Sequence, residues 1–209
     1  MAAVSVPSFD MNDETSLHIT KETITGDKGQ TRHNSYLDFE SFDFIERRTI
    51  WLAEEITRAV SARVIRQIHY LDRKNRDTIT IIINSPGGSI TDGLAICDMM
   101  KAARSPIATI CCGQALSIAA VILACGRKGL RKSLAHSDIL IQQDIDDTFR
   151  QEKAEEIAYL HMQKKRSDIS RLLAERTGKS LEKVVLDTKQ SSYLSPEEAI
   201  ENGLIDAIL

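Results

Sequence analysis

Two apolar runs, each followed by a glycine-containing turn and a helix-like segment, determine the fold class of this chain. The first run, residues 77–85 ("DTITIIINS"), is dense in β-branched side chains, and the second, residues 107–112 ("IATICC"), begins about thirty residues later. Such runs are typical of strands, and the first is predicted to be buried on both faces. Strands that alternate with helices favour an α/β fold with a largely parallel sheet and right-handed crossovers.

Further elements are predicted from periodicity and from turn residues. Ile56, Val60, Val64 and Ile68 recur every four positions, which predicts an amphipathic helix over residues 54–71. The other predicted strands are at 49–52 and 137–143, and the other predicted helices are at about 91–103 and from about 117 to Gly126. A long charged helix is predicted at about 148–176 and ends before Gly178. A short helix follows, with Ser195 as N-cap, Pro196 at N1, Glu198 at N3 and Gly203 as C-terminal cap.

Size and charge narrow the class of protein. The 209 residues suffice for one well-buried α/β domain. We predict that domain over residues 32–209, after a mobile polar arm at residues 1–31. A net charge of -3 does not favour a nucleic-acid partner. The longest uncharged apolar run, residues 118–125, is too short for a bilayer, and no secretory signal is evident, so we expect a cytoplasmic protein without a membrane partner.

The four cysteines do not form a recognisable metal or disulfide pattern. Cys97, Cys111, Cys112 and Cys125 all lie in apolar segments, and none is part of a Cys-x-x-Cys pair. Cysteines in such surroundings are typical of buried, inert thiols. The sequence therefore predicts no metal and no cofactor.

Two turns carry groups suited to chemistry on a carbonyl. "NSPGGS" (residues 84–89) offers backbone N–H groups after a strand, and "GQALSI" (residues 113–118) places Ser117 at the start of a helix. Free N–H groups at such turns stabilise an oxyanion, and a serine hydroxyl becomes a nucleophile once a base takes its proton. The simpler interpretations are that Ser117 caps the helix and that Gly88 only serves a tight turn.

Four stretches carry a resemblance to a known family: "INSPGGSITDGLAICDMM", "CGQALSIAAVILACGRKGLR", "TGKSLEKVVLDT" and "YLSPEEAIENGLIDAIL". Over roughly residues 30–209 the chain resembles the Clp protease proteolytic subunit (ClpP) family. The resemblance implies a crotonase-like α/β fold of repeated ββα units with a projecting handle helix, which matches the long charged helix. It also implies heptameric rings stacked as a tetradecamer around a closed chamber. The implied partners are an AAA+ unfoldase of the ClpX, ClpA or ClpC type and unfolded polypeptide substrate. The resemblance further implies that the arm at residues 1–31 is an axial loop or a propeptide.

The family pattern assigns roles to four residues of this chain. It implies Ser117 as the nucleophile, with the N–H groups of Gly88 and Ile118 as the oxyanion hole. It also implies that Gly88 and Ile90 pair with the backbone of an extended substrate.

The base and the acid of the family triad are both replaced. Gln142 stands at the position of the family's histidine, and Ser191 stands at the position of its aspartate. An amide accepts no proton at neutral pH. Asp144 lies about 7 Å further along the strand on the same face. It is the nearest substitute, but a carboxyl group with a pKa of about 4 is a weak base for a serine hydroxyl.

Other candidate bases are less well placed. His136 lies six residues before Gln142, which is about 20 Å along a continuous strand. Lys128 and Lys132 belong to a basic turn that we expect to face water. The family's glycine-rich hairpin is also replaced here by residues 146–150 ("DDTFR").

We therefore expect a ClpP-like subunit that is catalytically impaired or inactive and that shapes the ring, with copies of itself or with an active paralogue. An active serine endopeptidase that uses Ser117 with a non-standard base stays open, and it requires an activity that Ser117→Ala abolishes. A third reading, an acyl-CoA hydratase or isomerase on the same fold, would require a CoA site, which the sequence does not display.

Overall fold

The computed structural model describes residues 19–20, 36–37, 39–141, 153–189 and 193–209. The chain divides into two compact units, residues 1–49 and residues 50–209. Most of the predicted arm lies outside the described residues, so its boundary at residue 31 stays a prediction.

The first unit contains one helix and two short strands among its described residues. Strand β1 (Ile19–Thr20) pairs antiparallel with β2 (Tyr36–Leu37), and helix α1 (Phe39–Glu46) follows. At the end of α1, Arg47 Nη1 donates to Asp43 Oδ1 at 3.2 Å. This helix was not predicted, because eight residues are too few for a clear helical period.

The second unit is an α/β arrangement, as the alternation of strands and helices predicts. Its described strands form one sheet in the order β3-β4-β5-β6-β9, with β7 paired to β5 and β8 paired to β7. The pairs β4/β5, β5/β6, β5/β7 and β6/β9 are parallel, and β7/β8 is antiparallel. The bounds are β3 Thr49–Leu52, α2 Arg58–Lys74, β4 Ile79–Ser85, α3 Ile90–Ala102, β5 Ile107–Leu116, α4 Ile118–Ala124, β6 Arg131–Ser133, β7 Asp138–Leu140, α5 Lys153–Thr177, α6 Leu181–Lys189, β8 Tyr193–Leu194, α7 Pro196–Glu201 and β9 Ala207–Ile208.

Strand β4 shows how the sheet is buried. Ile79, Ile81 and Ile83 are fully buried, whereas the alternate residues Thr80 and Ile82 are half-exposed and Asn84 is exposed. Successive side chains of a strand point to opposite faces, so one face of β4 meets the core and the other stays open in this chain. The prediction that this strand is buried on both faces is therefore wrong for the single chain.

Strand β5 is longer than predicted, and it changes neighbours along its length. Its first part pairs with β6 over residues 109–111, and its last part pairs with β7 over residues 114–116. On its other side, the register with β4 shifts between Ile83 and Ser85, where Ile83 is opposite Cys111 and Ser85 is opposite Ala115. The shift leaves two extra residues in β5 between Cys111 and Ala115. We call this bulge-like irregularity at residues 112–114 the bulge, and insertions of this kind bend a strand.

The helix ends follow the local signals. Thr57 accepts a hydrogen bond from the Val60 N–H and caps α2, which therefore begins later than the predicted residue 54. At α7, the side chain of Ser195 accepts from the Glu198 N–H at 3.3 Å while Glu198 accepts from the Ser195 N–H at 2.8 Å. This capping box and Pro196 at its start confirm the prediction for α7.

The segment predicted as a basic, solvent-facing turn is partly a strand. Lys128 is exposed, but Arg131 is buried and begins β6. The Arg131 guanidinium donates from Nε and Nη2 to the Asp206 carboxylate, at 3.0 and 2.6 Å. Its Nη1 donates to the carbonyls of Arg176 and Gly203, at 3.1 and 2.9 Å. One side chain thus ties β6 to the ends of α5 and α7 and to the segment before β9.

The long helix α5 carries large apolar side chains that are exposed to solvent near its amino end. Ile157 is 72% exposed and Leu160 is 59% exposed, in the part of the helix that lies towards its amino end. Ile169 and Leu173, nearer the carboxyl end, are buried. Helix α6 follows it and was not predicted. None of the helices among the described residues has an apolar stretch long enough to cross a lipid bilayer.

Candidate active site

Ser117 occupies a sharp turn between β5 and α4. Its backbone has φ 54° and ψ −122°, a region that a residue with a side chain rarely adopts. The Ser117 N–H donates to the Leu140 carbonyl of β7 at 2.8 Å, and the Ser117 carbonyl accepts from the Ala120 N–H at 3.1 Å. These contacts hold the backbone of the turn while the side chain stays half-buried.

The interpretation of Ser117 as a helix cap is wrong, because its side chain does not cap α4. A capping serine has extended backbone angles, and its hydroxyl accepts a hydrogen bond from an N–H two or three residues later. Ser89 and Ser195 meet both conditions at α3 and α7. Ser117 meets neither, and within the described residues its hydroxyl makes no hydrogen bond. Within the part of the chain that the structure describes, the strained turn therefore presents a hydroxyl without a hydrogen-bond partner.

The glycine loop after β4 lies directly beside this turn. The Gly87 carbonyl accepts from the Ile56 N–H at 2.7 Å, and the Ser89 N–H donates to the Ile56 carbonyl at 2.8 Å. A Cβ atom on Gly88 would lie 2.5 Å from the Ile56 oxygen, and a Cβ on Gly87 would lie 3.1 Å from Ser117 Cβ. Only glycine fits both positions, because each also has a positive φ. The loop and the serine turn are thus in contact.

Two N–H groups at this junction lack an intramolecular acceptor among the described residues. The contacts of Gly87 and Ser89 with Ile56 turn the intervening N–H of Gly88 away from that neighbour, as in a parallel strand pair. The N–H of Ile118, at the start of α4, also donates to no described group. A hydroxyl and two unused donors are the groups needed to hold a carbonyl and the oxyanion formed from it. Ile90, expected to pair with a substrate, opens α3 directly after the loop.

Ser85 ends β4 directly before the glycine loop, and the sequence motif alone did not indicate a role for it. It is fully buried, and its hydroxyl donates to the Glu54 carbonyl at 2.6 Å and accepts from the Gly87 N–H at 3.2 Å. A serine two residues before a glycine is the local signal for such a turn. Ser85 therefore orders the loop that carries Gly88.

The base and acid positions, Gln142 and Ser191, lie outside the described residues, as does Asp144. The described residues before Gln142 end at Ile141, and those after Ser191 begin at Tyr193. Leu140 and Tyr193 are register partners of β7 and β8. The Leu140 carbonyl also accepts the Ser117 N–H, so Leu140 lies between the serine turn and Tyr193.

Lys128 lies in an exposed turn as predicted, but His136 and Lys132 lie on different elements from those predicted. His136 belongs to an exposed turn between β6 and β7, so it does not share a strand with Gln142 and the separation of about 20 Å along one strand does not apply. Lys132 lies within β6, opposite Ile110, whereas Ser117 follows the part of β5 that pairs with β7. Neither side chain belongs to the elements that form the turn.

A cavity of about 220 Å³ lies near this junction but does not include Ser117. Lys179 Nζ donates to Asp187 at 2.8 Å in its wall. Burial opposes ionisation of Asp187, but the ammonium groups of Lys179 and Lys183 outweigh it and hold the pKa of that carboxyl below its usual range. The wall residues are Ile141, Leu173, Thr177, Lys179, Val184, Asp187, Thr188, Leu194, Asn202 and Leu204.

None of the cysteines belongs to the serine turn or to the glycine loop. Cys97, Cys111 and Cys125 are buried, as predicted, and Cys112 is half-buried. A hydrogen bond with Cys125 and burial raise the pKa of Cys97, and burial raises the pKa of Cys111 to about 11. Thiols in this state are neither nucleophiles nor good metal ligands at neutral pH. Among the described residues, no group of three or more His, Cys, Asp or Glu side chains could hold a metal ion.

Comparisons with known proteins find sequence similarity over most of the chain. The family model described as Clp protease matches residues 32–209. The ATP-dependent Clp protease proteolytic subunit 1 of Prochlorococcus marinus subsp. pastoris is 42% identical over 171 residues, which cover 79% of this chain and 85% of the relative. The protein of the same name from Prochlorococcus marinus (strain MIT 9312) is 41% identical over the same shares.

Proposed function

The chain belongs to the Clp protease family, and on that premise we propose that it is a ring subunit of an ATP-dependent Clp protease complex that has lost its own proton-transfer residues. In this proposal the chain joins heptameric rings that stack as a tetradecamer, together with an active paralogue. An AAA+ unfoldase delivers unfolded polypeptide to the chamber in the cytoplasm. The chain holds polypeptide near Gly88 and Ile90, and hydrolysis takes place on the paralogue.

The observation that carries the proposal is the contrast between the two halves of the site. The Ser117 hydroxyl and the N–H groups of Gly88 and Ile118 have no hydrogen-bond partner among the described residues, and this supports a retained carbonyl-binding half. Gln142 and Ser191, at the base and acid positions, supply neither a proton acceptor nor a negative charge at neutral pH. The chain therefore retains the groups that bind and lacks the groups that move a proton.

This contrast has a chemical consequence for peptide hydrolysis. When Ser117 Oγ bonds to a carbonyl carbon, its proton must pass to a base, and the N–H groups of Gly88 and Ile118 stabilise the oxyanion. The proton has no acceptor at Gln142, and no charge at Ser191 stabilises a protonated base. Serine peptidases stripped of triad members keep only a residual acceleration of about 10³–10⁴-fold over water. That level is too low for a working peptidase.

The exposed apolar residues of α5 support the assembly part of the proposal. Ile157 and Leu160 are large apolar side chains left in contact with solvent on a charged helix. Exposed apolar groups of this kind favour contact with another subunit.

Reconstitution with an active paralogue tests the proposed function. The purified chain is assayed for peptide hydrolysis alone and mixed with the paralogue, and each preparation is matched by one made with the Ser117→Ala variant. Native mass spectrometry reports the ring composition. We expect mixed rings, no hydrolysis by the chain alone, and equal hydrolysis by mixtures made with the unmodified chain and with the Ser117→Ala variant. Failure of the chain to enter any ring would contradict the proposal.

A second candidate function is an active serine endopeptidase with a non-standard base. The strained turn favours it, because the cost of a positive φ at a non-glycine residue is typical of functional sites. Hydrolysis by the chain alone that Ser117→Ala abolishes would favour this candidate. Asp144→Asn would then be examined first, followed by residues of a neighbouring subunit.

A further inference from the structure

The bulge in β5 determines where Ser117 lies. Ile83 and Ser85 of β4 are opposite Cys111 and Ala115, so one residue of β4 spans three residues of β5. After the bulge, β5 leaves β6, pairs with β7 and ends at Leu116, directly before Ser117. The position and orientation of Ser117 in the site therefore depend on the bend of β5.

Asn84 is the β4 residue that spans the bulge. Its Oδ1 accepts a hydrogen bond from the Gln114 N–H at 3.3 Å. Its amide also lies close against Gly113, where an added Cβ atom would come within 2.8 Å of Oδ1 and 3.1 Å of Cγ. A glycine at position 113 thus allows the Asn84 side chain to reach the backbone of the bulge. The bulge is held from its other side as well, because the Ser137 hydroxyl accepts from the Gly113 N–H and donates to the Cys111 carbonyl.

Asn84 also belongs to the strand that carries the glycine loop. Only Ser85 and Pro86 separate it from Gly87, whose position is in contact with Leu116 and Ser117. One side chain therefore connects the segment that presents the Gly88 N–H with the segment that presents the Ser117 hydroxyl. The core gains little from this contact, because Asn84 is exposed.

We propose that Asn84 is a positioning residue, which fixes the bend of β5 and thereby aligns the Ser117 hydroxyl with the N–H groups of Gly88 and Ile118. This inference rests on the proposed function, in which those three groups hold a carbonyl. Asn84 acts through the backbone at Gln114 and does not contact the substrate.

Binding of a peptide boronic acid to Ser117 measures this alignment, and the binding requires no catalytic base. The Ser117 oxygen adds to the trigonal boron, a B–O bond forms, and the hydroxyl proton passes to solvent, which leaves a tetrahedral boronate anion. Boron-11 NMR identifies the tetrahedral adduct, and titration gives its dissociation constant. Ser117→Ala defines the signal that does not depend on the serine.

Four variants test the role of Asn84. Asn84→Ala removes the acceptor, and Asn84→Asp keeps an acceptor oxygen of the same shape. Asn75→Ala is the matched control, because Asn75 Oδ1 also accepts a backbone N–H, from Asp77 at 3.1 Å, in an exposed turn after α2. Thr80→Ala removes a side chain from the same strand and the same face. Hydrogen exchange of the Gln114 N–H is measured on each variant in its native assembly.

We expect Asn84→Ala to bind the boronic acid about fivefold to tenfold more weakly, the equivalent of one hydrogen bond. The Gln114 N–H should exchange faster by a similar factor, while Asn84→Asp, Asn75→Ala and Thr80→Ala stay near the wild type in both measurements. Equal binding by Asn84→Ala and the wild type, or unchanged exchange at Gln114, would overturn the role of Asn84. Absence of a Ser117-dependent adduct in the wild type would refute the proposed function instead, and the exchange rates would still decide whether Asn84 holds the bend.

Discussion

Replacement of Arg131 by methionine should destabilise the second unit more than most single substitutions. The side chain of Arg131 is only 3% exposed, and that of Asp206 is 17% exposed. The substitution removes two hydrogen bonds to the carboxylate and two to the carbonyls of Arg176 and Gly203. Methionine fills much of the volume, so the loss is mainly electrostatic.

The size of the expected loss in the free energy of unfolding depends on the burial of Asp206, the partner of Arg131. Removing one member of a buried ion pair leaves an uncompensated charge and costs about 3–5 kcal/mol. The N–H groups of Gly129 and Arg131 still donate to Asp206 after the substitution, which favours the lower half of this range. A domain of this kind has a free energy of unfolding of about 5–15 kcal/mol, so the loss is a large fraction of the total.

Urea unfolding followed by circular dichroism measures this loss. With a slope of about 2 kcal/mol per molar urea, the midpoint for Arg131→Met should fall by about 2 M. Protein concentration is held constant, because assembly stabilises the folded state by mass action. Lys132→Met, on the next residue of the same strand, should change the free energy of unfolding by less than about 0.5 kcal/mol.

A double variant isolates the buried charge as the cause. Arg131→Met with Asp206→Leu should recover much of the lost free energy, because replacing a buried ion pair with apolar side chains is often nearly neutral. Equal midpoints for Arg131→Met and Lys132→Met would refute the reasoning.

Three further predictions concern pH, the glycine loop and the thiols. Burial opposes ionisation of Asp206, but the hydrogen bonds from Arg131 outweigh it and hold the pKa of Asp206 below the usual range. The resulting stability is present above the unfolded pKa of about 3.9 and is lost as pH falls through the folded pKa. Melting temperatures should therefore drop below about pH 4, and less steeply in Arg131→Met. Gly88→Ala should cost about 1–3 kcal/mol in urea unfolding, because φ is +141° and the added Cβ would lie 2.5 Å from the Ile56 carbonyl oxygen. Gly129→Ala, where the added Cβ meets nothing within 4 Å, should cost less. Iodoacetamide at pH 8 should modify Cys112 before the three buried cysteines, as followed by mass spectrometry, and faster reaction of any buried thiol would contradict the assigned burial.

The sequence predicts those parts of the fold that depend on local signals. The β-branched density of β4, the four-residue period of α2 and the capping box of α7 each depend on a few neighbouring residues, and all three elements are present. The α/β class follows from their alternation. Short strands such as β6 and β9 were not predicted, because three or two residues carry no period and are defined by their pairing partners.

In the candidate site too, local motifs predict some features, whereas contacts between distant segments determine the others. The motif "NSPGGS" points to the glycine loop, but the span of Asn84 across the bulge depends on a register shift between two strands, and no local pattern encodes it. Serine before a helix favours a cap on statistical grounds, yet Ser117 adopts a strained angle because its N–H bonds to Leu140 of another strand. Burial of Arg131 likewise depends on Asp206, which lies 75 residues away along the chain.

The most direct test of the account is Ser117-dependent hydrolysis of a fluorogenic peptide by rings of this chain alone, with and without the substitutions Gln142→His and Ser191→Asp. A general base contributes about 10²–10⁴-fold to such reactions. We predict that the unmodified chain hydrolyses the peptide no faster than Ser117→Ala does, and that the double substitution raises the rate by at least about 100-fold in a manner that Ser117→Ala abolishes. Hydrolysis by the unmodified chain that disappears in Ser117→Ala would contradict the central claim, because Ser117 would then already have a base.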